Sequence, residues 1–126
     1  MRGRRGTQAG QASVELALCL PVVAALLLLV VQAGLVVADQ VAVVQAAREA
    51  ARRASVDPDP EAARQAALGG RLVPPRTAVT VERMAGRPAT TRAVIRHLAA
   101  TEVPVVGPLL PDIELTAEAT MAVEGG

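Results

Sequence analysis

The chain has 126 residues and a formal net charge of +1, so one small domain with an anchor is the natural size class and no global charge draws it to nucleic acid. All 13 basic residues are Arg, and Phe, Tyr and Trp are absent, which removes the stacking platforms that a nucleic-acid module uses. Hydrophobic residues make up 52% at a mean hydropathy of +0.37, and the excess is concentrated in one run near the amino end.

Residues 1–10 read as a Gly- and Arg-rich basic leader without regular structure. Arg2, Arg4 and Arg5 act there as a topology signal, because positive charge stays on the cytoplasmic side. The expected orientation is therefore amino end in, carboxyl end out, across the plasma membrane in a single pass. Gly10, Gln11 and Glu15 follow, and an apolar run fills residues 16–38, with Gln32 its one strongly polar member. At ~1.5 Å per residue this run reaches roughly 35 Å as a helix, enough to cross a ~30 Å hydrocarbon core.

Within the run, Cys19 has no internal partner and reads as a small apolar filler. A lipoprotein cleavage site fails, since Leu18 precedes the cysteine and the apolar run follows it. Pro21 removes one backbone donor and is expected to kink the helix or loosen it near Ala17. Gln32, Ala33 and Gly34 read equally as a helix-packing contact or as an uneven part of the span.

The helix is expected to continue to residue 55. On a helical wheel Val43, Ala46, Ala47, Ala50, Ala51 and Ala54 share one face, and Gln45, Arg48, Glu49, Arg52 and Arg53 the other. The apolar stripe is expected to dock the chain's own carboxyl-terminal domain, and Glu49 and Arg53 to pair at i,i+4. Asp57 to Pro60 ends this helix and caps a second one expected over 60–68, with Gly69 and Gly70 as its stop. Strands are expected over 77–83 and 90–98, joined as a hairpin, and over 113–123, with an apolar crossover at 101–111. The fold class is thus α+β and membrane-anchored. A long transmembrane helix leads into a short second helix and a small antiparallel three-stranded sheet. The divisions are a leader over 1–10, a long helix over 11–55 with its transmembrane part at 16–38, and an extracytoplasmic domain over 56–126. With no disulfide and no aromatics that domain has a marginal core, expected to need docking on residues 39–55 or on a partner.

Catalytic equipment is missing. The single His97 is expected on a strand face with no special role, and the carboxylates Glu114, Glu118 and Glu124 on an exposed face. No phosphate loop, nucleophile elbow or CxxC pair occurs. No enzyme activity, cofactor or metal is expected.

The spacing around Glu15 carries the sharper reading. A cut after Gly10 makes Gln11 the first residue and Glu15 the fifth, the pattern of type IV prepilin-like leaders: basic segment, glycine, four residues, glutamate, apolar helix. The stretch from Gly10 to Pro21, with Gln40 and the run from Gln45 to Arg52, resembles TadE-like proteins, minor pseudopilins of the tight adherence (Tad) pilus apparatus. Residues 110–113 and 117–124 are similar to that family's last strand. Leu16 stands where many pilins carry an aromatic residue. The all-Arg, Ala-rich composition suggests a high-GC bacterial source such as an actinobacterium.

The resemblance implies a non-enzymatic pseudopilin that helps assemble or secrete Flp-type pili and is processed by a prepilin peptidase. Its implied partners are the lipid bilayer, other pseudopilins and pilus-assembly membrane proteins. Glu15 would be the assembly contact, neutralising a neighbour's free amino terminus. The alternative is an uncleaved signal-anchor protein that presents a small extracytoplasmic binding domain. A secreted chain cut after Ala38 is a third reading, and the apolar run is long for it.

Overall fold

The computed structural model describes residues 5–69, 71–99, 109 and 111–124, with side chains from Gln8 onward. Arg2, Arg4 and most of the expected crossover lie outside them. The first helix, α1, is one uninterrupted element from Arg5 to Val56. It starts earlier than the irregular leader expected through residue 10, because Thr7, Gln8 and Ala9 extend the helical register past Gly6 and Gly10. Pro21 lies inside α1 without ending it, although its missing N–H leaves the Ala17 carbonyl without a helical donor.

Proline and aspartate together stop α1. The residue before Pro58 is biased out of the helical region, and Asp57 closes the last turn through its N–H to the Arg53 carbonyl, at 2.9 Å. The Arg53 side chain turns to Asp57 at 3.2 Å and not to the expected Glu49. The second helix, α2, spans Pro60–Ala67. The Asp59 carboxylate accepts from the Glu61 N–H at 3.0 Å, Pro60 fills the first helical position, and Ala63 and Ala67 form the buried stripe. Beyond it Gly69 takes φ +150°, a backbone open to glycine. It exchanges two hydrogen bonds with Leu72, at 3.1 and 3.0 Å. A single 3-10 turn at Pro74–Arg76 leads into the sheet.

Three strands, β1 (Thr77–Met84), β2 (Thr90–Ala99) and β3 (Ile113–Ala122), form an antiparallel meander with β2 in the centre. Period-two alternation gives β2 one buried face: Thr91, Ala93, Ile95, His97 and Ala99. Val79, Val81, Leu115, Ala117, Ala119 and Met121 continue that face on the flanking strands. On the outer face Arg92 pairs with Glu118, and this bond holds the guanidinium above its ordinary pKa.

The inner face of the sheet and α2 both pack on α1. The α1 positions that they bury are Val43, Ala46, Ala47, Ala50, Ala51 and Ala54, the stripe expected from the wheel. Small side chains let helix and sheet backbones approach closely, and Ile95, Val43 and Thr91 are the largest fully buried side chains. The sheet runs along α1. At one end Arg83 donates to the Ala54 carbonyl at 3.0 Å, and Glu124 N–H to the Ser55 carbonyl at 3.1 Å. At the other end the rung Thr77–His97–Leu115 lies beside Asp39.

Candidate functional site

Two parts of the molecule carry polar groups in unusual surroundings. The first is the amino-terminal stretch of α1. Every residue from 8 to 27 is exposed. An 18-residue window of α1 reaches a mean hydropathy of 2.8 with none of it buried. A helix in the core of a soluble protein would be covered, so this composition calls for an apolar solvent.

Gly10, Gln11 and Glu15 occupy successive turns of this bare helix. Gln11 and Glu15 are one turn apart and share a face. A Cβ at Gly10 meets nothing within 4 Å, so packing within the chain does not require glycine there. Glu15 has no hydrogen bond or ion pair among the described residues. The Ser13 hydroxyl donates to the Ala9 carbonyl at 3.0 Å and so bridges the Gly10–Gln11 bond within the helix. Cys19 is exposed on the same bare segment. Further along, Gln32 and its neighbours point apart. Gln32 is 5% exposed, with its Oε1 unpartnered, whereas Ala33 and Gly34 are exposed.

The second part is a cluster at the end of the apolar run, in which Asp39, Thr77 and His97 are buried and Arg71 is exposed. Asp39 on α1 accepts from Arg71 Nε. His97 Nε2 on β2 lies 4.0 Å from the other Asp39 oxygen. The opposite ring nitrogen, Nδ1, is 2.9 Å from the Thr77 hydroxyl on β1. His97 is 3% exposed, so the expectation of an idle residue on a strand face is corrected: alternation places it inward with Ile95. The cluster ties α1, β1, β2 and the turn after α2 together in a place where an unpaired carboxylate would be costly.

Hydroxyl, imidazole and carboxylate stand in the order used by hydrolases, yet the chemistry does not follow. Thr77 is 6% exposed, Asp39 is committed to Arg71, and 4.0 Å exceeds a hydrogen bond. An open groove of about 370 Å³ that touches Thr77 and His97 is lined otherwise mainly by Pro74, Pro75, Arg96, Leu98 and Glu114, with no second hydroxyl, thiol or imidazole among the described residues that line it. Among the described residues no three His, Cys, Asp or Glu side chains converge on a metal position. The cluster acts as a structural tie, one that sequence reasoning missed, although the shared parity of Ile95 and His97 was there to be read.

Residues 10–52, about a third of the chain, match the TadE-like protein family. The match begins at Gly10 and covers the bare helix and most of the Ala stripe. Neither the curated proteins nor the solved structures compared with the chain give a match.

Proposed function

We propose that this chain is a non-enzymatic, membrane-anchored TadE-like pseudopilin that takes part in assembling a Tad/Flp-type pilus or a related secretion apparatus. The observation that carries the reading is the overlap of the family match with the bare segment of α1. The family match starts at Gly10, and the helix that follows stays bare of its own domain as far as residue 27. A segment so exposed and apolar is suited to lipid and to the helices of other subunits. On this reading residues 1–10 are a leader held on the cytoplasmic side by Arg2, Arg4 and Arg5, and residues 56–126 face outward.

Glu15 is the residue on which assembly turns. A carboxylate drawn into hydrocarbon unpaired costs a few kcal/mol. The ammonium group released at Gln11 of a neighbouring subunit offsets that cost in low dielectric. A prepilin peptidase would cut between Gly10 and Gln11. That bond lies inside α1, so cleavage requires the first turns to unwind. Gly6 and Gly10 each lower the helical preference there by about 1 kcal/mol relative to Ala.

The continuity of α1 through this bond favours a second reading, an uncleaved signal-anchor protein with a small binding domain outside. Amino-terminal sequencing of the membrane-extracted protein decides between them. The pseudopilin reading predicts Gln11 as the first residue. An intact amino end in cells with active prepilin peptidase would overturn the processing step.

A further inference from the structure

Outside α1, the exposed large hydrophobic residues among those described are Val73, Met84, Leu98, Leu109 and Ile113. Their placement is uneven. Met84 stands at the end of the sheet where Arg83 reaches Ala54. Val73, Leu98 and Ile113, at 43%, 41% and 44% exposure, stand at the opposite end. Leu98 directly follows His97, Ile113 pairs with Ala99 one rung further on, and Val73 is two residues from Arg71, the partner of Asp39.

With α1 read as a membrane span, that end is the one that faces the bilayer. A ~30 Å hydrocarbon core takes about 20 helical residues. Counted from Glu15, its outer boundary falls near residue 35, about one turn before Asp39. Strands advance ~3.3 Å per residue, so Leu98 and Ile113 reach past the His97 rung to the level of that boundary. The cover on α1 at that level agrees: Leu35 and Val36 are half-buried and Asp39 is buried.

We propose that this end of the domain rests in the interfacial layer of the membrane that α1 crosses, with Val73, Leu98 and Ile113 against lipid. The domain is thereby fixed in height and tilt on the bilayer instead of standing free of it. Arg71 pairs with Asp39 at this end, and Arg76 and Arg96 are matched in number by the acidic residues Asp112 and Glu114 of the same end. The contact is apolar in origin and independent of anionic lipid. It takes the place of the aromatic belt that this sequence lacks.

The inference rests on the reading of α1 as a membrane span, and one experiment separates the two. Full-length protein carrying Cys19→Ser receives a single fluorophore at Leu98→Cys, Ile113→Cys, Met84→Cys or Val23→Cys. Each is reconstituted in phosphatidylcholine vesicles with acyl chains brominated near the glycerol, the Val23 variant with chains brominated near their methyl ends, because Val23 lies ~12 Å inside Glu15, close to the middle of a ~30 Å core. Protease resistance of the domain is checked in each variant, and the substituted sites are exposed. The proposal predicts that labels at Leu98, Ile113 and Val23 lose most of their emission and that the label at Met84 keeps it, at low and high salt alike. Quenching at Val23 with none at Leu98 and Ile113 overturns the proposal and leaves the span standing. Absence of quenching at Val23 overturns both. Emission shielded from water at Leu98 and Ile113 yet unquenched by bromine would mean a second copy of the chain covers this end, and also overturns it. So would quenching that high salt abolishes.

Discussion

In residues 8–27 of α1 the large apolar side chains are Leu and Val, and all are exposed; in residues 43–54 of the same helix the buried positions are Val43 and a row of alanines. With its apolar part taken as a membrane span, one continuous helix meets two kinds of surroundings. Lipid chains are fluid and fill any outline, so the bare segment gains by carrying as much aliphatic surface as it can. A β-sheet is a fixed partner, and close packing against it favours small residues. The difference teaches where on the helix the chain's own domain ends and its external surroundings begin.

The largest expected effect comes from placing a charge in the Ala row. Ala50 is fully buried, so Ala50→Glu puts a carboxylate between helix and sheet, at a cost of at least about 3 kcal/mol. The domain should lose its cooperative melt in reconstituted vesicles while the protein stays in the membrane fraction. A melt close to wild type would break the comparison, because the row would then not be the interface. The reciprocal change is Leu26→Arg on the bare segment. It should weaken insertion by about 2.5–3.5 kcal/mol, read as protein lost from the membrane fraction, with the domain's protease resistance unchanged.

A smaller effect sharpens the boundary between the two. His97→Ala strips Thr77 of its buried partner and leaves Asp39 with Arg71 alone. The domain should be destabilised by about 1–3 kcal/mol, measured by thermal unfolding, and insertion should not change.

Much of this fold was legible in the sequence because it is periodic and local. The alternation of β-branched residues marks β1 and β2, the Asp-Pro repeat marks the junction of α1 and α2, and the 3.6-residue spacing marks the Ala row that carries the core. The cluster around Asp39 was not legible in the same way. Asp39, Arg71, Thr77 and His97 lie on separate elements, and only the packing of the sheet along α1 joins them. The start of α1 at Arg5 was hidden for another reason, since glycines weaken a local signal that the following helix overrides by propagation. At the candidate assembly segment, the spacing of Gly10 and Glu15 was visible from the outset. The structure adds that the described residues leave that segment exposed.

The central claim is that Glu15 on the bare helix serves assembly and not folding. Its most direct test is piliation of cells in which Glu15→Ala replaces the wild-type chain, scored together with the amount of protein in the membrane and the melt of its domain. The account predicts normal membrane levels, a domain melt within about 0.5 kcal/mol of wild type, and impaired pilus assembly. Pili at wild-type numbers would contradict it.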